Sequence, residues 1–254
     1  TDADVAASTD RTGGTAAGGD WALEATTGTI EADRLVTVEA RDYGHVLATH
    51  TVDTIADEGG TAGITAEADD GTGLSLREAL DNAAAGDTIT FDSALDGQTI
   101  TLDGDLHYLV IDSDITIDGD LDDDGTPDIT VSGDAAGDGI QNHSAGDVRP
   151  FDINGGVVTL EGLTISGGLG GDGGGIRAAP GTDLTLVDSV VSHNSSMDMG
   201  GGVYSDGDLT LVDSVVSDNQ SVRQGGGIFS DGTGDTVSLT RTTIANNTAD
   251  YGGG

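Results

Sequence analysis

The residues with the sharpest chemical spacing lie in the stretch "DLDDDGTPD". Asp120, Asp122 and Asp124 occupy positions 1, 3 and 5, Gly125 position 6 and Asp128 position 9. This is the oxygen-ligand spacing of an EF-hand-type calcium loop: alternate carboxylates face one point, glycine permits the sharp turn, and the Thr126 carbonyl supplies the position 7 ligand. Val131 stands at position 12, where such a loop carries an acidic residue. Carboxylates crowded this closely repel one another unless a cation sits among them. Asp120, Asp122, Asp124, Thr126 and Asp128 are therefore the expected calcium ligands; an acidic turn between two strands is the plainer reading.

A second constellation emerges when the chain is folded on its own repeats. Gly triplets begin at Gly173, Gly200, Gly225 and Gly252, with spacings of 27, 25 and 27 residues. In that alignment Asp188, Asp213 and Arg241 fall in one column and Asn194, Asn219 and Asn247 in another. The Asn column suits an amide ladder that satisfies turn backbones. The Asp pair offers calcium ligands, an ion-pair column with Arg241, or the acid and base of a glycosidase, although the separation of one coil matches neither glycosidase geometry well. His45, His50, His107, His143 and His193 show no metal-ligand spacing, and "GGDGGGI" precedes a strand rather than a helix, so it is no phosphate loop.

Each unit reads "GGG-I", then "LTL", then "SVVS". A period in this range with three short strands per turn indicates a β-solenoid. The inward positions are Ile176, Val203 and Ile228; Leu184, Leu209 and Val237; Leu186, Leu211 and Leu239; and Val191, Val216 and Ile244. Like aliphatics then stack from coil to coil at about 4.8 Å. Ahead of the array, "LSLREALDNAAAGDTITF" opens with a capping box, Ser75 with Glu78, and puts Leu76, Ala79, Leu80 and Ala83 on one helical face. A helix over about 75–85, stopped by Gly86, would cap the solenoid. Residues 1–48 read as a small β-rich tail, with strands in "DVAAST" and "WALEATTGTIEA" around a Gly13–Gly19 turn, and 49–73 as a linker in which "TVDTIADEGG" is the only strand-like piece. The β-helix spans 74–254, with clear repeats over 158–254.

Composition agrees. Among 254 residues 35% are hydrophobic but only 3% aromatic, which suits a thin core of many small layers. With 46 acidic residues against 8 basic and no lysine, the net charge is −38. Phosphate backbones need Lys and Arg, so a nucleic-acid partner is not expected, nor is an anionic membrane surface. No apolar run approaches a membrane span. Self-repulsion at this density needs salt or divalent cations to screen it, which points to a halophile-type surface in a salty or calcium-containing extracellular medium. Cysteine is absent. The chain begins at Thr1 without Met and ends at "YGGG" within a repeat, so it is expected to be a piece of something larger. Its last coil is expected to associate end to end in high salt or calcium.

Four features resemble known families. "ADVAASTD", "GGDW" and "IEA", within Ala3 to Ala32, resemble the C-terminal end of a caspase-like domain of unknown function found at the front of giant secreted bacterial proteins. That family's catalytic His and Cys lie upstream of this point, so the resemblance implies no active site here. "LSLREA" resembles the CSLREA motif that opens β-helix domains of bacterial surface proteins, with Leu74 in place of Cys. The "GGG-I" and "SVVSDN" pattern resembles the repeats of polymorphic outer-membrane proteins, which implies a right-handed parallel β-helix. The missing position 12 carboxylate resembles the calcium loops of secreted repeat proteins.

Together these readings give an all-β fold: a right-handed parallel β-helix with a short N-terminal capping helix. The expected function is a structural and adhesive segment of a large bacterial exoprotein, extracellular or at the cell surface, stiffened by calcium. An extracellular polysaccharide or other cell-surface ligand is its expected partner. The alternative is a polysaccharide lyase or glycosidase on the same fold, since fold alone does not decide function.

Overall fold

The structure is a computed structural model, and it describes residues 5–7, 25–27, 47–58, 73–139, 144, 146–232 and 234–251. The chain divides into two units, Thr1–Ala48 and Thr49–Gly254. In the first, Val5–Ala7 pairs antiparallel with Ala25–Thr27, within the two stretches expected to form strands. The Gly13–Gly19 turn, His45 and His143 lie outside the described residues.

The second unit is a parallel β-solenoid of about six turns. Its strands stack into a seven-stranded, a six-stranded, a five-stranded and a four-stranded sheet. One coil shows the path: Asp183–Val187 in the seven-stranded sheet, Val190–Ser192 in the six-stranded, Ser195–Ser196 in the four-stranded, then Val203–Ser205 in the five-stranded. Three strands per turn were expected. The short fourth strand follows the Asn column, and its stacked residues, such as Ser195 on Gln220, carry no apolar alternation to announce it.

Every inward column falls in the expected register. Leu184 pairs with Leu209 and Leu186 with Leu211; Val191 pairs with Val216, and Ile176 with Val203. The next coil adds Val237, Leu239, Ile244 and Ile228 to these columns. Alternation places these side chains inside, where each buried aliphatic contributes roughly 1.5–3 kcal/mol. Leu211 is fully buried, whereas Leu239, in the last described coil, is 47% exposed because no described coil covers it.

Two polar columns hold the turns. Asn194 Oδ1 accepts the Gly168 N–H at 2.9 Å, while its Nδ2 donates to Ile165 O at 3.0 Å and to Asn219 Oδ1 at 3.0 Å. Asn219 repeats the pattern onto Val191 O and Asn247 Oδ1. This is the expected amide ladder. Ser189 and Ser214, which carried no expectation, form a second one: Ser189 Oγ accepts the Leu163 N–H and donates to Val187 O, and Ser189 N–H in turn reaches Ser214 Oγ. Both ladders are buried, so each unmade bond would expose the interior to an unpaired polar group. The Gly triplets make room for them. A Cβ at Gly201 would fall 2.2 Å from Gly226 O, and one at Gly202 would fall 2.9 Å from Asn219 Nδ2.

The capping helix spans Leu76–Asn82 and carries the expected capping box between Ser75 and Glu78. It is shorter than 75–85 because Ala83 turns extended and Asp87 Oδ2 accepts the Ala84 N–H at 2.9 Å, ending the helix before Gly86. Leu76 and Ala79 are buried in the same core as Val52 and Ile89. The stretch 49–73 expected as a linker begins with a strand. Thr49–Val52 is the edge strand of the seven-stranded sheet, parallel to Asp87–Phe91. The stretch after it is tied down as well, by Asp53 to the Leu74 N–H and by a two-bond ion pair of Asp57 with Arg77. Thr51 and Val52 open the one piece of this stretch expected to be strand-like, "TVDTIADEGG". Among the described residues, no helix is long and apolar enough to cross a membrane.

Leu211→Asp should destabilise the solenoid by roughly 3–5 kcal/mol, since it leaves an unpaired charge between aliphatic layers. Leu239→Asp, in the same column but half exposed, should cost well under half as much. Urea midpoints of the two variants check this, and equal losses would contradict the burial gradient along the column.

Candidate metal centre

The corner between the seven- and six-stranded sheets is normally very short. Gly162 alone turns it in one coil, and Asp188–Ser189, Asp213–Ser214 and Arg241–Thr242 turn it in the next three. Gly162, Asp188, Asp213 and Arg241 all have positive φ, between 46° and 59°. In the coil below Gly162, residues 119–128 replace this turn, between the strands Ile115–Asp118 and Ile129–Ser132. The insertion closes at its base, where Asp128 N–H donates to Gly119 O at 3.2 Å and Gly119 N–H to Glu161 O at 2.8 Å. The flanking strands keep their register, Asp118 on Glu161 and Ile129 on Leu163.

Inside the loop, one carboxylate oxygen each of Asp120, Asp122 and Asp124 lies within 4.8 Å of the others. Asp120 also accepts the N–H groups of Asp124 at 3.1 Å and Gly125 at 2.9 Å. Thr126 sends both its N–H and its hydroxyl to Asp124 Oδ1. Asp128 is not among the three: its Oδ2 accepts the Leu121 N–H at 2.7 Å, at the loop base. Val131 is fully buried in the core, paired with Ile165 and Ile100, so strand alternation forbids a carboxylate at position 12. Three converging carboxylates are a donor set for a hard, oxygen-preferring divalent cation.

The structure joins the two constellations that the sequence kept apart. The loop leans across Gly162, where a Cβ would fall 2.3 Å from Asp120 N, and a Cβ at Gly125 would fall 3.6 Å from Asp188 Oδ1. An acidic edge results: Asp118, Asp120, Asp123, Glu161 and Asp188. Burial, and then the charges of Asp118, Asp188, Asp120 and Asp123, push the Glu161 carboxyl up. Burial, then Asp120 and Asp123, raise Asp118 against an N–H bond from Asp120. Asp188 is raised by burial, then by Asp213 and Asp120, with Arg241 opposing. Asp122, at the exposed tip, is raised by desolvation first and then by Asp124, Asp128 and Asp120. At the far end the sign reverses. Arg241 grips Asp213 through two nitrogens and holds its carboxyl below the usual range. The ion-pair reading of the Asp188/Asp213/Arg241 column therefore describes its upper half, and repulsion describes its lower half.

A second carboxylate group, Asp134, Asp138 and Asp147, carried no expectation. Asp134 accepts the N–H groups of Asp138 and Gly139, and Asp147 those of Ala136 and Ser144. These carboxylates staple a loop backbone, which the wide spacing of Asp134 and Asp147 in the sequence conceals. Of the described histidines, His50 Nε2 lies 3.0 Å from Asp87 Oδ2 at the first strands.

Residues 1–47 match the family described as a domain of unknown function, DUF4347. No curated protein and no solved structure is similar enough to the chain to match.

The raised carboxyls set a sign for pH. In the window from the ordinary carboxylate range up to their raised values, Asp118, Glu161 and Asp188 hold more protons folded than unfolded, so stability falls as pH rises through it. In chelator, the melting temperature should drop across this window. Glu161→Gln should flatten the drop, which melting curves at a series of pH values check.

Proposed function

We propose that the solenoid is a rigid, non-catalytic spacer and contact surface within a large secreted or surface-displayed bacterial protein, and that calcium at Asp120, Asp122 and Asp124 stiffens its acidic edge. One observation carries the spacer reading: like residues sit on like residues in register, coil after coil, in both apolar and amide columns. Such stacking rewards length and periodicity rather than any one chemical group. The non-catalytic reading is supported by the arginines of the repeats. Arg177 is held by Asp152, Arg223 by Asp198 and Arg241 by Asp213, as structural ion pairs. The extracellular setting is supported by the net charge of −38, which needs salt or divalent cations to be tolerated. The calcium reading rests on the three converging carboxylates and on their mutual repulsion, which a bound cation would relieve.

Two outcomes are expected. Millimolar calcium should raise the melting temperature in low salt, and Asp122→Asn combined with Asp124→Asn should remove most of the gain, because a cation bound only by the folded chain stabilises by mass action. A calorimetric titration showing neither heat nor shift would contradict it. Duplicating the coil from Gly200 to Gln224 in tandem should preserve the fold and lengthen the particle by about 4.8 Å per added coil. Small-angle scattering reads that increment, and loss of folding on duplication would sink the spacer reading.

A further inference from the structure

One corner of the solenoid holds a residue that its packing does not call for. Between Phe151–Ile153 in the five-stranded sheet and Val157–Glu161 in the seven-stranded sheet, the chain turns through Asn154, Gly155 and Gly156. Gly156 is required there. Its φ is +90°, and a Cβ would fall 2.5 Å from the Ser113 carbonyl carbon in the coil below. Gly155 is not required. Its φ is not positive, and a Cβ would meet only Asp112 O, at an ordinary 3.6 Å. An alanine would fit, so the fold gives no reason for glycine at 155. What the missing side chain does is leave the Gly155 nitrogen open to approach from the Asn154 amide.

The surroundings leave that approach open. Asn154 and Gly155 form the one Asn-Gly pair in the sequence, and Asn154 is exposed. Its Nδ2 makes a single hydrogen bond, to Asp112 Oδ1 at 3.1 Å, and no described group donates to its Oδ1. No described group accepts the Gly155 N–H either. The other described asparagines differ. Asn194, Asn219 and Asn247 each donate through Nδ2 to a main-chain carbonyl of the amide ladder. Asn82 and Asn246 precede Ala83 and Asn247, whose side chains crowd the following nitrogen.

We propose that Asn154 is a self-modifying site, which closes on Gly155 to a succinimide and opens to aspartate or isoaspartate without an enzyme. Hydroxide removes the Gly155 N–H proton, and the nitrogen attacks Asn154 Cγ. The new C–N bond closes a five-membered ring, the Cγ–Nδ2 bond breaks, and the amide leaves as ammonia with a proton from water. Water then adds to one of the two ring carbonyls. Opening at Cγ gives aspartate, and opening at the main-chain carbonyl carbon gives isoaspartate. The net reaction consumes one water, releases one ammonia and leaves one new carboxylate. That carboxylate lies against Asp112, so a donor–acceptor clasp between successive coils becomes a pair of like charges. Asp114, which accepts the Val157 N–H at 2.9 Å, stands in the same corner. The strands on either side, with Ile153 on Ala178 and Val157 on Asp183, confine the change to the turn. The modified fraction rises with the age of the molecule, and each event unties the same clasp.

Incubating the full chain in mildly alkaline buffer and mapping its peptides by mass spectrometry tests this. The deamidated mass should accumulate first in the peptide carrying Asn154, faster as pH rises, and as two isomers that chromatography separates. Gly155→Ala should slow it about tenfold, because a Cβ hinders the attack and narrows the backbone, and should leave the melting temperature unchanged. The folded chain should react less than about tenfold more slowly than the same chain unfolded in guanidinium chloride. Stronger protection by the fold, a rate indifferent to Gly155→Ala, or earlier reaction at another asparagine would overturn the site. Asn154→Asp, which makes one product directly, should melt lower than the parent in low salt, and adding Asp112→Asn should restore it. Equal melting of parent and Asn154→Asp would overturn the loss of the clasp.

Discussion

No coil of this chain can bury its own apolar side chains. A single turn has only a few short strands, and its inward Ile, Leu and Val are shielded above and below only by the same residues of the next turn. Everything else follows from that need for a neighbour. The backbone hydrogen bonds run between coils, the Asn and Ser side chains reach from one turn to the next, and the Gly triplets let two backbones approach closely enough for those side chains to fit. The contrast between buried Leu211 and half-exposed Leu239 is the same constraint seen where no further described coil lies above.

Stacking that favours like residues inside is unfavourable for like charges outside, and the structure shows how the two are reconciled. The broad face of the seven-stranded sheet carries threonines, whose hydroxyls tolerate one another. Charge is moved to corners, where an arginine answers an aspartate in one coil and a long turn spreads its carboxylates in another. Backbone N–H groups take up much of the repulsion: Asp120, Asp134 and Asp147 each accept two. The edge formed by Asp118, Glu161 and Asp188 is partly desolvated, and burial first and neighbouring carboxylates second make its carboxyls harder to ionise.

Periodicity made the interior legible in advance. Aligning the Gly triplets was enough to place Leu184 on Leu209, Val191 on Val216 and Asn194 on Asn219, because an apolar or amide residue repeated once per coil meets its own kind in the coil above. What escaped was structure without a repeated chemical signature. Ser195–Ser196 has no alternation, and the serine ladder hides in "SVVS" among residues that could as well face water. The proposed metal site was half visible. Spacing picked out Asp120, Asp122 and Asp124, which converge, and also Asp128, which serves the loop base instead. Nothing in the spacing could reveal that the loop folds over Gly162 onto Asp188, since that meeting depends on which coils are neighbours.

The corner that carries the loop 119–128 has a consequence for how such a chain can change over generations. Within a strand, inserting one residue would turn every following side chain inside out. Within the Gly triplet, even a methyl group collides with the coil above. At the corner, a whole peptide segment has been accommodated while Asp118 still faces Glu161 and Ile129 still faces Leu163. The corner works as a graft point: a whole segment of new chemistry can be added there, one coil at a time, while the strands on either side keep their register.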